Sequence, residues 1–114
     1  DHYLRALELN EEPEIYLRLA DYYSYKKNYK KTVESCTKAI NLAYERINCG
    51  RTDNADNLLF CSYVKRSSAY GELGNFKNGK KDYLNAINIL NPWIFFSKDK
   101  EFFEKEYYKM LKEK

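Results

Sequence analysis

The chain has 114 residues, which is the length of a single domain, and although 32% of them are charged its net charge is only +3. Such a balance gives no reason to expect a nucleic acid or a membrane surface as the partner. The sequence contains neither an apolar run of the roughly 18 residues that a membrane span needs nor a signal-peptide core. Cys36, Cys49 and Cys61 are odd in number and outside Cys-x-x-Cys spacing, so we expect a reducing, cytoplasmic setting without disulfides.

The first predicted element is a helix over residues 1–10, in which Tyr3, Ala6, Leu7 and Leu9 recur at helical spacing. The chain begins inside this helix and without Met, so we expect it to be a piece of a longer protein. The helix would then be the second half of a repeat whose first half lies upstream.

A pair of helices is predicted over residues 14–46. The first, 14–26, turns four apolar residues toward the core: Tyr16, Leu19, Ala20 and Tyr23. The second, 29–46, packs through Tyr29, Val33, Cys36, Ala39, Ile40 and Ala43. Cys36 falls at a core position, where we expect a small buried hydrophobe rather than a reactive thiol.

A second pair is predicted over residues 57–92, after a polar loop at 48–57 in which Asp56 or Asn57 caps the next helix. Its first helix, 57–73, has one face made of Tyr63, Ser67, Tyr70 and Leu73, and its second, from Phe76 to Leu90, resumes that spacing after the turn at Gly74-Asn75. Gly79 lies inside the second helix, where glycine costs about 1 kcal/mol relative to alanine. We expect a close approach of another helix there.

The last predicted element is a helix over 99–113. Its apolar stripe consists of Phe102, Phe103, Tyr107, Met110 and Leu111. We interpret it as a capping helix, since a stack of repeats needs a terminal element with one polar side. The alternative interpretation is an aromatic helix that binds a partner.

The two pairs match each other at an offset of 47 residues. The matched positions are Tyr16 and Tyr63, Ala20 and Ser67, Tyr23 and Tyr70, Tyr29 and Phe76, Cys36 and Tyr83, and Ala39-Ile40 and Ala86-Ile87. This layout resembles the tetratricopeptide repeat, a helix–turn–helix unit of about 34 residues. The excess of about thirteen residues requires a long helix at 29–46 and a loop. The resemblance implies an all-α solenoid of antiparallel helix pairs, one domain over 1–114.

In this family the first helix of each repeat lines a concave groove. The resemblance therefore implies a candidate groove made of Glu14, Leu17, Arg18, Asp21, Tyr25, Cys61, Val64, Lys65, Ser68 and Glu72. The simpler alternative is a solvated helix face, because exposed charges usually serve solvation.

Catalytic and cofactor-binding arrangements are missing from the sequence. Its single histidine is His2, its four glycines form no phosphate-binding loop, and no residues have zinc-ligand spacing. We expect no enzymatic activity, no cofactor and no metal.

A subgroup of the repeat family, the Hsp70 and Hsp90 co-chaperones, holds the acidic tail of the chaperone in a clamp of Lys, Asn and Arg. The resemblance places the clamp Asn at Arg18, one clamp Lys at Cys61 and the clamp Arg at Lys65. The clamp is therefore altered. Arg18 and Lys65 are suited to a carboxylate, whereas Asp21 and Glu14 oppose one.

The long insertion, the segments ESCTKAI and YVKRSSAY, and Gly79 within NGKKDY also resemble the repeat domain of axonemal dynein pre-assembly factors. That resemblance implies work with chaperones in the cytoplasm. The leading hypothesis is a monomeric, non-catalytic adaptor that binds a peptide or protein tail. Alternatives are a regulatory or targeting domain of a larger enzyme, such as a prolyl isomerase or phosphatase, and a helical-repeat RNA binder.

Overall fold

A computed structural model of the chain describes residues 12–50, 54–90 and 99–112. These residues form five helices, which are α1 (Pro13–Tyr25), α2 (Tyr29–Asn48), α3 (Ala55–Glu72), α4 (Phe76–Leu90) and α5 (Asp99–Lys112). The predicted helices agree with these bounds to within two residues at each end. The predicted helix over 1–10 lies outside the described residues.

The helices pack in chain order, as expected for an all-α solenoid. α2 packs against both α1 and α3, α4 packs on α3, and α5 packs on α4 and α3. The first helices of the two pairs, α1 and α3, also contact each other. The central core joins both pairs through Ile40, Ala43, Leu58, Leu59, Tyr63 and Ala86. Burial of this apolar surface is the main contribution to the stability of the stack.

The predicted core of the first pair is largely confirmed. Leu19, Ala20 and Cys36 are buried, whereas Tyr16 and Tyr23 are only half-buried. The second pair corrects one prediction. Leu73 and Phe76, expected on the apolar face, flank the turn and are 46% and 44% exposed.

The turns within the two pairs have the same backbone geometry. In the first, the N–H of Asn28 donates to Tyr23 and that of Lys27 to Ser24, at 2.8 and 3.0 Å. This is the Schellman arrangement, in which the second residue after the helix adopts a left-handed conformation. The left-handed residue is Lys27 in the first turn (φ 59°) and Gly74 in the second (φ 79°). The first turn therefore holds a lysine where glycine fits without strain.

The connection between the pairs follows from the length of α2. This helix runs for twenty residues, so the predicted long second helix is confirmed. The predicted cap of α3 is wrong, because the helix begins at Ala55 and its N-cap residue is Asn54. Asn54 itself has a left-handed backbone (φ 60°) and makes no side-chain capping bond.

The terminal helix α5 docks through one tyrosine. Tyr107 is fully buried and lies beside Gly79. A methyl group at Gly79 would overlap the Tyr107 hydroxyl, so the expected close approach at this glycine is confirmed. The expected apolar stripe is wrong at Phe102, which is 57% exposed.

Candidate functional site

The contact between α1 and α3 brings the two halves of the candidate groove together. The Asp21 carboxylate forms an ion pair with the Lys65 ammonium, which joins the two helices across a sequence separation of 44 residues. Both side chains keep solvent contact, with 62% of Asp21 and 33% of Lys65 exposed. An ion pair of this kind contributes only about 0–1 kcal/mol, so a ligand carboxylate competes for Lys65 at small cost.

Arg18 is the second cation of the candidate groove. It is exposed and lies one turn before Asp21 on α1. Within the part of the chain that the structure describes, none of the ion pairs involves Arg18. Its exposed guanidinium suits an anionic ligand.

Glu14, which was expected to oppose an anionic ligand, is paired with an arginine. Both of its carboxylate oxygens accept hydrogen bonds from the Arg46 guanidinium on α2, at 3.0 and 3.1 Å. Glu12 adds a longer ion pair to the same arginine at 3.9 Å. The Arg46 guanidinium offsets part of the negative charge of Glu14, but Glu12 shares it, so these two carboxylates and one guanidinium keep a net negative charge.

The remaining groove residues divide between the core and the solvent. Leu17 and Val64 are partly buried and also pack against the central core. Tyr25 is 81% exposed at the end of α1. The half-buried Cys61 thiol faces the amide oxygen of Asn57 at 3.9 Å, and Ser68 is also half-buried. The exposed Glu72 borders an apolar cleft of about 300 Å³ that also contains Gly71, Phe76, Tyr108, Leu111 and Lys112.

A buried ion pair next to the groove was not predicted. Arg66 donates to both oxygens of Asp82 at 2.6 and 2.7 Å, and to the Thr37 hydroxyl at 3.0 Å. The guanidinium lies 5.7 and 5.8 Å from the centres of the Tyr63 and Tyr70 rings. The sequence did hold one signal of a buried carboxylate. Asp82 falls at the same helical spacing as Gly79 and Ala86, which places it on the buried face of α4.

The same ion pair lines a polar depression between α3 and α4, with a volume of about 300 Å³. Its other lining residues are Tyr63, Tyr70, Asn78, Lys81 and Asn85. Arg66 gives three of its five N–H donors to Asp82 and Thr37, and the Asp82 carboxylate already compensates its charge. This makes it a weaker site for an anion than the candidate groove.

Reactive groups are scarce in the parts of the chain that the structure describes. No group of three His, Cys, Asp or Glu residues there could hold a metal ion. Burial raises the pKa of the Cys36 thiol to about 12, so this cysteine is a core side chain and a poor nucleophile, as predicted. Among the described helices, none is both long enough and apolar enough to cross a membrane.

Comparison with known proteins agrees with this architecture. The family model of the tetratricopeptide repeat matches residues 13–46 and 62–89, together more than half of the chain. These ranges correspond to α1 with most of α2, and to the second part of α3 with nearly all of α4. A search of curated proteins and a search of solved structures each found no match.

Proposed function

The chain belongs to the tetratricopeptide repeat family, whose repeats mediate protein–protein interactions, and from this membership we propose that it is a non-catalytic module that binds a protein tail along the candidate groove. The observation that supports the proposal most directly is the ion pair between Asp21 and Lys65. It joins the first helices of both repeats, which are the two helices to which the groove residues are assigned.

The chemistry of this surface favours a ligand with carboxylates. Arg18 is exposed on α1, and Lys65 lies across from Asp21 on α3. A guanidinium and an ammonium on adjacent helices suit a C-terminal carboxylate together with an acidic side chain. Asp21 is the groove's own competitor for Lys65, because a ligand carboxylate would occupy the same position.

The proposed partners are the acidic tails of Hsp70 or Hsp90, which gives the module a co-chaperone or assembly role. Arg18 and Lys65 occupy two of the positions that hold such tails in co-chaperones of this family, while Cys61 replaces a lysine. We expect weaker and less selective binding than an intact clamp gives. The role in dynein pre-assembly is part of the same proposal, resting on the resemblance of the insertion and of Gly79.

A cytoplasmic location is also proposed. All three cysteines are free thiols, and Cys49 is exposed at the end of α2. An exposed thiol without a disulfide partner is typical of a reducing compartment.

Isothermal titration calorimetry tests the proposed function. The full chain is titrated with the C-terminal peptide of Hsp90 and with the same peptide carrying a C-terminal amide, at two salt concentrations. Salt-sensitive binding that weakens with the amide and with Lys65→Ala, but not with Lys105→Ala, would support the groove assignment. Equal binding of both peptides would refute a role for the C-terminal carboxylate, and no binding of either peptide would refute the acidic tail as the ligand.

A further inference from the structure

The turn between α1 and α2 concentrates the positive charge of the chain. Residues 22–32 include four lysines and no acidic residue, which exceeds the net charge of +3 for the whole chain. The corresponding segment of the second repeat, 69–79, contains one lysine and one glutamate. The charge is therefore a property of this turn and not a requirement of the repeat. We define the basic turn as Tyr22, Tyr25, Lys26, Lys27, Lys30 and Lys31, all of which are exposed.

Lys27 is a charged residue at a backbone position that favours glycine. Its backbone is left-handed (φ 59°), whereas the equivalent residue of the second repeat is Gly74 (φ 79°). The hydrogen bonds of the two turns are the same, so glycine would satisfy the same geometry without strain. A charged side chain kept in a strained position is an observation that points to a function for that side chain.

Two tyrosine rings of the basic turn lie close to a lysine ammonium group. The Lys26 ammonium lies 5.9 Å from the centre of the Tyr22 ring and 5.8 Å from that of Tyr25. These rings are 40% and 81% exposed. The acidic residues nearest to the basic turn in the sequence are Asp21, which is paired with Lys65, and Glu34, one turn farther along α2. The surface therefore offers cations beside large, accessible rings.

We propose that the basic turn binds an acidic, extended segment of the partner protein, adjoining the stretch of the same polypeptide that lies in the candidate groove. This inference rests on the proposed function. Tyr25 belongs to both surfaces, so a chain leaving the groove along α1 passes directly over Lys26. The groove has three acidic and two basic side chains, whereas the basic turn supplies the attraction for several carboxylates. Lysines and tyrosine rings are also compatible with RNA or anionic lipid, but only a polypeptide continues the occupant of the groove.

A fluorescein-labelled decaglutamate peptide is the probe, and fluorescence anisotropy at low and high salt is the measurement. We expect salt-sensitive binding to the full chain that Lys27→Gly weakens by about two- to fivefold, the range for one exposed charge. The same variant should raise the urea midpoint, since it removes the strained residue. Binding that Lys105→Gln reduces equally, or a midpoint that falls in Lys27→Gly, would overturn the inference.

A triple variant and two other probes separate this inference from the proposed function. Replacing Lys26, Lys30 and Lys31 with glutamine should abolish decaglutamate binding, while Arg18→Glu with Lys65→Glu should leave most of it. Loss of decaglutamate binding in the groove variant alone would overturn the basic turn as a separate surface. Tighter binding to phosphatidylserine vesicles or to oligouridylate than to decaglutamate would overturn the choice of an acidic polypeptide.

Discussion

The hydroxyl of Tyr107 donates a hydrogen bond of 2.9 Å to the backbone carbonyl of Ser67, through space that any side chain at Gly79 would occupy. This contact joins the terminal helix α5 to α3 across the surface of α4. It also explains why a glycine, which lowers helix propensity, lies in the middle of α4. The absence of a Cβ there allows a full tyrosine ring to be buried between the helices.

Gly79→Ala is expected to destabilise the chain by about 1–3 kcal/mol, the usual cost of overpacking, despite the helix propensity that alanine adds. The added methyl group would displace Tyr107 from its position. Urea denaturation measures the effect, and Lys77→Ala on the exposed side of the same helix is the control. Tyr107→Phe should restore part of the loss, since it removes the overlapping hydroxyl. A more stable Gly79→Ala protein would contradict this account of α5 docking.

Alkaline pH should weaken the fold through Tyr107. Burial raises the pKa of Tyr107 to about 12 from its ordinary value of 10. Below pH 10 the stabilisation is complete, and between pH 10 and 12 the unfolded chain loses this proton first, so stability falls as pH rises. Urea midpoints measured at pH 8 and pH 11 should decrease less in Tyr107→Phe than in the parent chain. Equal decreases would mean that the hydroxyl is not protected by burial.

Asp82→Ala is expected to cost about 3–5 kcal/mol, because it leaves the Arg66 guanidinium buried without its carboxylate. The side chains of Arg66 and Asp82 are only 17% and 4% exposed. Asp21→Ala, which breaks the exposed pair with Lys65, should cost less than about 1 kcal/mol. Thermal or urea unfolding of the two variants compares a buried pair with an exposed one. Similar losses in both would indicate that Asp82 is accessible to water.

Asp21→Asn should strengthen the binding of an acidic tail peptide by about two- to fivefold. The substitution removes a carboxylate that competes for Lys65 and keeps a side chain of the same shape. Calorimetry with the Hsp90 peptide measures the change, and Glu34→Gln, which removes one negative charge from α2, is the control. If Glu34→Gln strengthens binding equally, the effect is one of overall charge and not of the groove.

Helical spacing was sufficient to predict the five described helices, because each has apolar residues at intervals of three and four. The repeat at an offset of 47 also predicted the long α2. The pairing of charges was not predictable from spacing. Glu14 reaches Arg46 and Arg66 reaches Asp82 only after the helices have packed, at sequence separations of 32 and 16 residues. The predicted burial of Phe102 was wrong for a related reason. The packing of α5 on the other helices is determined by one residue, Tyr107.

If a partner tail lies between α1 and α3, backbone amide shifts in ¹⁵N NMR spectra will locate it there. The full chain is titrated with the Hsp90 tail peptide, and the shifted amides are located on the structure. We expect the largest changes at Arg18, Asp21, Lys65 and Ser68. Changes concentrated at Asn78, Lys81 and Asn85, around the depression between α3 and α4, would contradict this placement of the tail.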